Sequence, residues 1–349
     1  ANFTALITAR KNKATWNNRT AGNASDKQKK LIIYATKETH TWLEKAADMA
    51  GLGTESVRYI PMDVYQQMVP ALLRRQIERD LDAGHLPFMV VGNAGTTATG
   101  AVDPIKDIAM IARQNDLWLH VDGAYGAFAA NVDGAPGELQ NLHLADSIAV
   151  DPHKWLYAPL DAGCVLVKNK EHLRDAFSAK PSYYKFETAK GEAVDSYYDF
   201  GPENSRSFRA LKVWLGFKQA GLNGYRKMIA DDIQLSQELF FDAELNPQLE
   251  AITNNLSITT FRFVPEDLQD EQTYYHKEYI DRLNQILLTR LQESGRAFVS
   301  NAVVDGKYVL RACIVNFRTS RKDISEMVNI ITEIGQQVDG ELRSRITLN

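Results

Sequence analysis

Trp118-Leu119-His120-Val121-Asp122-Gly123-Ala124-Tyr125 is the stretch on which the reading of the fold turns. It opens as a short run of strand-forming side chains and stops at a carboxylate followed by Gly. Ahead of it, Phe88 to Val91 is another apolar strand. Between the two, Pro104 to Asn115 repeats apolar residues at helical spacing, with Pro at an early helical position and Asp103 as a cap. Strand, helix and strand in that order make a βαβ crossover, which pairs its strands in parallel.

Outward from this unit the same alternation continues. Leu31 to Tyr34, Val57 to Ile60, Ser147 to Val150 and Cys164 to Val167 read as strands, and Thr41 to Ala50 and Tyr65 to Ala83 as helices. The expected class is therefore α/β, a mostly parallel sheet covered by helices, with ligands at the carboxyl ends of the strands. Residues 178–203 are rich in Tyr, Lys, Asp and Gly without a period and read as a long loop, and long loops are often functional. Helices follow at Ser205 to Ala220 and Tyr225 to Leu245. Beyond Pro247 come a strand (Leu256 to Val264), a helix (His276 to Ser294), two strands (Ala297 to Ser300, Lys307 to Asn316) and a final helix from Asp323. The expected division is a large domain over 1–246 and a small C-terminal α+β domain over 247–349.

Composition sets limits without naming a function. The 349 residues are 44% hydrophobic and 24% charged, as in ordinary globular proteins. A net charge of -4 gives no positive field for nucleic acid, and Lys27 to Lys30 reads as a solvated loop. Cys164 and Cys313 lie in apolar strand-like stretches and read as small buried hydrophobes in a reducing, cytoplasmic setting. No apolar run approaches the roughly 18 residues of a bilayer span, so no membrane partner is expected, and no metal.

Four elements carry chemistry. In Asp151-Pro152-His153-Lys154-Trp155 a Lys follows a strand at the ligand-binding edge, where a desolvated amine condenses with aldehydes. Alone, Lys154 fits a solvated strand end better than a reactive amine. Asp122 ends its strand at the same edge, where a carboxylate can hold a pyridine nitrogen protonated; alone, it equally fits a helix cap or turn. Gly92-Asn93-Ala94-Gly95-Thr96-Thr97-Ala98-Thr99-Gly100 suits close approach of backbone and hydroxyl donors to a polar ligand, and it lacks the spacing of nucleotide-phosphate loops. His40, past the first strand, is an imidazole able to stack on a flat ring, or a surface residue at a helix start.

Taken in order, these four elements resemble the group II pyridoxal-phosphate-dependent amino-acid decarboxylases, most closely the aromatic-L-amino-acid decarboxylase branch. The resemblance implies a fold type I enzyme with pyridoxal 5'-phosphate held as a Schiff base by Lys154, its ring nitrogen paired with Asp122 and its face stacked by His40. It further implies Ala124 against the other ring face, Thr96 near the ring hydroxyl or substrate, and His153 near the phosphate. Lys180-Pro181-Ser182-Tyr183-Tyr184-Lys185 resembles the family's catalytic loop, so Tyr183, with Tyr184 as competitor, would reprotonate the substrate carbon. Asn204-Ser205-Arg206-Ser207-Phe208-Arg209 resembles the turn that reaches a neighbouring subunit's phosphate, which implies Ser205 as a contact and a homodimer with a shared site; a helix N-cap satisfies Ser205 equally well.

The implied reaction is decarboxylation of an L-amino acid, of aromatic type since Trp155 follows the Lys, to the amine and carbon dioxide. Arg311 or Arg318 would meet the substrate carboxylate, each equally readable as a surface Arg. An aldehyde synthase, an acidic amino-acid decarboxylase and a non-catalytic subunit are the alternatives. Two departures from the family stand out. Its Gly-Gly-Ser-Glu-Ala-Asn phosphate turn is represented only by Ala1-Asn2, so the chain is expected to be a fragment. Asp151 stands where the branch commonly has Asn, and beside a phosphate it must point elsewhere or pair with a cation.

Overall fold

Six short runs rich in strand-forming side chains extend as strands; the inner four of the sheet are almost wholly buried on both faces, and the two at its edges are partly exposed. The computed structural model describes residues 1–23, 29–179, 196–269 and 274–347. The strands are β1 (Leu31–Ala35), β2 (Val57–Tyr59), β3 (Leu86–Asn93), β4 (Trp118–Asp122), β5 (Ser147–Val150) and β6 (Cys164–Val167). Their order is β2-β1-β3-β4-β5-β6. All neighbours pair in parallel except β6, which runs antiparallel to β5. The connection from β5 holds only the four-residue helix Pro152–Trp155, so the chain turns back there instead of crossing the sheet.

The helices of this part are α1 (Asn2–Lys13), α2 (Asn18–Ala21), α3 (Trp42–Met49), α4 (Pro70–Asp82), α5 (Ile105–Gln114), α6 (Pro152–Trp155) and α7 (Lys170–Phe177). Leu6 and Ala9 of α1 join Leu31, Ile33, Phe88, Met89 and Trp118 in one buried cluster, so α1 lies over the middle of the sheet. The helix expected from Tyr65 begins instead at Pro70: the Asp63 side chain accepts from Tyr65 N and Gln67 N, and Gln66 takes a positive φ of 62°. Asp103, expected to cap α5, is 1% exposed and turns inward. Its carboxylate accepts from Met68 N and Asn93 N at 2.7 Å each and from Asn93 Nδ2 at 2.9 Å, and burial pushes its pKa up to about 6.

The chain packs as two compact units, residues 1–94, 102–130 and 137–219 in the first and 95–101, 131–136 and 220–349 in the second. One helical span, α8 (Ala210–Leu245), passes from one to the other and is interrupted at Gly221, where φ 66° and ψ 172° leave the helical region. It starts five residues after the expected Ser205. The division falls at Ala220, ahead of the 246/247 boundary read from texture, because Leu235, Leu239 and Ala243 of α8 pack in the second core.

The second unit is a four-stranded antiparallel sheet in the order β7-β8-β10-β9, with β7 (Leu249–Asn255), β8 (Ile258–Phe263), β9 (Ser300–Val304) and β10 (Lys307–Cys313). Helices α9 (Tyr274–Ser294) and α10 (Arg321–Thr347) pack Leu283, Leu287, Ile331 and Ile334 onto Phe261 and Phe263. Cys313 is exposed and Cys164 half-buried, so the thiols are not the buried hydrophobes the sequence suggested; both sit near strand ends, and they form no disulfide.

Close packing of α10 on β8 needs a residue without a side chain. A Cβ added at Gly335 would overlap the Phe263 ring. Gly335→Ala is therefore expected to lower the unfolding free energy by about 1–3 kcal/mol, the usual cost of overpacking, measured by urea denaturation.

Candidate active site

Parallel pairing of β4 with β5, Asp122 opposite Ala149, brings two strand ends side by side. The loops beyond are tied together as well: Gly123 N donates to Ala149 O at 3.0 Å and Asp151 N to Ala124 O at 3.1 Å. Tyr125 and Trp155 stack at 4.6 Å between centroids, 14° from parallel. Gly123 is needed at the turn because a Cβ there would lie 2.6 Å from the Ala127 Cβ. The segments carrying Asp122 and Lys154 are thus fixed to each other at the carboxyl edge of the sheet.

Asp122 is 8% exposed. Its Oδ2 accepts from Trp42 Nε1 at 2.6 Å and Asn2 Nδ2 at 3.2 Å, and its Oδ1 from Ala124 N at 3.2 Å. Trp118, His120 and Asp122 alternate along β4 and so face one side of the sheet. Behind the carboxylate, Asn2 Oδ1 lies 2.9 Å from His120 Nε2, His120 Nδ1 lies 2.9 Å from Ser147 Oγ, and Ser147 Oγ accepts from Trp118 Nε1 at 2.8 Å. Burial lowers the His120 pKa to about 4, against the pull of Asp122, which favours the charged ring.

Lys154 sits in the helical turn α6 with its side chain 42% exposed. Its Nζ is 3.3 Å from Asp151 Oδ2, so the cation that Asp151 required is Lys154 itself. His153 accepts from Ala162 N through Nδ1 at 3.0 Å, which turns its Nε2 toward the same carboxylate at 3.7 Å. His40 is exposed in the loop after β1, and its Nδ1 accepts from Trp42 N at 3.2 Å, which orients the ring beside the start of α3. Ala124 is half-buried beside Asp122.

Thr96 belongs to the second unit, where its hydroxyl pairs with Thr99 Oγ1 at 3.0 Å and accepts from Ala101 N at 3.1 Å. Ser205 is exposed and lies ahead of α8, not at its N-cap. Arg311 donates to Ser300 Oγ within the antiparallel sheet, and Arg318 is exposed over the Phe317 ring. Tyr183 and Tyr184, with the loop around them, lie outside the described residues. Sequence reading missed Asn2, Trp42 and Ser147. The two-residue alternation of Trp118, His120 and Asp122 was the one available hint that a polar line runs behind the carboxylate.

His120 gives a pH signature. A histidine held neutral by burial binds fewer protons folded than unfolded between about pH 4 and 6.5, so its share of stability is present above the window and lost as pH falls through it. Asp103, raised to about 6, acts with the opposite sign over part of that range, so the comparison must be between variants. The loss of stability on acidification from about pH 7 to about pH 4.5 is expected to be smaller in His120→Gln than in wild type, as measured by urea unfolding.

Comparison with known proteins gives a consistent picture. Residues 1–263 match the family profile of the pyridoxal-dependent decarboxylase conserved domain, and residues 243–343 match that of the PDXDC1-like second central domain. The chain is 34% identical over 339 residues to an aromatic-L-amino-acid decarboxylase of Bacillus atrophaeus, covering 97% of this chain and 67% of that protein. It is 30% identical over 312 residues to a phenylacetaldehyde synthase of a Rosa hybrid cultivar, covering 88% of this chain and 61% of the relative. The solved structure of Catharanthus roseus tryptophan decarboxylase in complex with L-tryptophan superposes with a TM-score of 0.83 at 27% identity, over 96% of this chain and 68% of that one. The chain thus spans about two thirds or less of the length of these relatives.

Proposed function

The chain belongs to the pyridoxal-dependent decarboxylase family, and from that premise we propose that it serves the decarboxylation of an aromatic L-amino acid to the amine and carbon dioxide. The observation that carries the proposal is the placing of Asp122 and Lys154 at the ends of paired strands β4 and β5, with their loops bonded together.

The residues present fit pyridoxal phosphate. Lys154 offers a partly exposed amine at the sheet edge, and Asp122 a buried carboxylate with accepting capacity left on Oδ1 among the described hydrogen bonds. His40 offers an imidazole ring of fixed orientation. When bound, the cofactor supplies an electron sink for the pair released when the bond from Cα to the carboxylate breaks. Lys154 is assigned to hold the cofactor through Nζ, with Asp151 balancing the ammonium whenever the amine is uncombined. Asp122 keeps a proton at the ring nitrogen, the atom toward which charge is drawn. His40 and Ala124 are assigned to the two ring faces, and His153 and Ser205 to the phosphate. Tyr183 is assigned to deliver the proton to Cα, and Lys154 to release the amine.

A second reading is favoured by the match to a phenylacetaldehyde synthase. A tyrosine at 183, where aldehyde-forming relatives tend to carry Phe, supports plain decarboxylation. Two tests separate the cases. Wild type with added pyridoxal phosphate is expected to show a visible band that borohydride fixes to the protein, and Lys154→Ala to show none. Product analysis is expected to give amine and carbon dioxide; aldehyde, ammonia and peroxide would select the synthase.

A homodimer is proposed on the apolar edge of the first unit. Phe208, Leu211, Trp214 and Leu215 are 42–75% exposed, and three of them line an open groove of about 340 Å³. A second copy would remove that apolar area from water. Sedimentation is expected to report a dimer, and a fully active monomer would exclude the shared site. A cytoplasmic setting is supported by two cysteines without a disulfide. Among the described residues no helix is long and apolar enough to cross a membrane.

A further inference from the structure

With Asp122 ionised and His120 neutral, the hydrogen bonds behind the carboxylate run in one direction only. An indole nitrogen donates and never accepts, so at one end Trp118 Nε1 must give its proton to Ser147 Oγ. At the other end a carboxylate only accepts, so the Asn2 group facing Asp122 must be the amide NH₂, which turns Asn2 Oδ1 toward His120. That oxygen requires a proton on His120 Nε2. The ring is fully buried and its ionisation is suppressed by burial, so a proton on Nε2 leaves Nδ1 as an acceptor, filled by the one hydroxyl proton of Ser147. Trp118, Ser147, His120, Asn2 and Asp122 thus form a line of donors that all point at the carboxylate, and Trp42 Nε1 adds another at 2.6 Å.

We propose that Asn2, Trp42, His120 and Ser147 are positioning residues that hold the Asp122 carboxylate in a fixed orientation, with two donors on Oδ2 and accepting capacity on Oδ1 kept for the ring-nitrogen proton of the cofactor. The inference rests on the cofactor reading given above. It adds to that reading a specific tautomer, His120 neutral with its proton on Nε2, and a specific dependence on a hydroxyl that touches neither substrate nor cofactor. Ser147 is 1% exposed and pairs across from His120 in β5, so the same strand pairing that brings the two loops together also closes this line. If His120 became charged, both ring nitrogens would carry protons and the Ser147 hydroxyl could no longer donate to Nδ1.

Two measurements test it. In the full chain labelled with 15N-histidine, without cofactor and near neutral pH, the ring signal lost in His120→Gln is expected to show a protonated Nε2 and a bare Nδ1. An imidazolium, or the opposite tautomer, would overturn the proposal whatever the cofactor does. With pyridoxal phosphate added, Ser147→Ala is expected to weaken cofactor affinity by about tenfold or more, read from the visible band, and to move the pH midpoint of that band, as loss of hydrogen-bond support to a charged group should. Ser147→Thr, which keeps the hydroxyl, is expected to stay within about threefold of wild type. An unchanged affinity and midpoint in Ser147→Ala would overturn the positioning role. If wild type forms no band at all, the cofactor reading falls, and the histidine tautomer alone decides the line of donors.

Discussion

Burying the charge of Asp122 is the constraint around which the first unit is arranged. An ion taken out of water costs several kcal/mol, and a hydrogen bond to a charged group returns roughly 1.5–3 kcal/mol, so a carboxylate at 8% exposure needs more than one good donor. Among the described residues three donors reach it, from three places in the chain: Asn2 in α1, Trp42 at the start of α3, and Ala124 just past β4. Meeting that need fixes where α1 crosses the sheet and how α3 enters. It also fixes the turn at Gly123. The packing of Leu6 and Ala9 onto Ile33 and Phe88 is consistent with the same placement, so apolar and polar contacts agree.

The opposite choice is made at Asp151. Its carboxylate is less buried than that of Asp122 and takes its compensation from a neighbouring ammonium, Lys154, one helical turn away. The site therefore holds two acids of different kind. One is fixed by neutral donors and faces inward; the other is matched to a side chain that is partly in solvent. A neutral donor set survives changes of charge around it, whereas an ion pair lasts only while its cation is present.

The inner strands were legible in the sequence because burial on both faces leaves a largely apolar run, and the two edge strands because their side chains still favour extended backbone. All six of the first sheet lie within two residues of where such runs predict them. Asp122 and Lys154 were legible for a related reason: a charged residue at the end of an apolar strand contrasts with what precedes it. What escaped has physical causes too. The polar alternation of β7 carries little apolar signal, and it is a strand because β8 supplies its hydrogen bonds. The reversal of β6 depends on the brevity of α6, not on any property of Cys164 to Val167. Asp103 reads as a cap from its neighbours, yet its carboxylate turns inward to accept from the backbone N–H groups of Met68 and Asn93, 35 and 10 residues away. Asn2, Trp42 and Ser147 escaped because each acts through a contact across at least 27 residues, which no local pattern encodes.

The line from Trp118 to Asp122 has a statistical consequence. A closed ring or chain of hydroxyls can reverse the sense of all its hydrogen bonds together by turning each O–H, so it can exist as two arrangements of similar energy and fluctuate between them. Here one terminus can only give and the other can only receive, so the count of allowed proton arrangements falls to one. The line has no residual configurational entropy to lose. Rearrangement of protons along the line then adds no fluctuation to the field at the carboxylate.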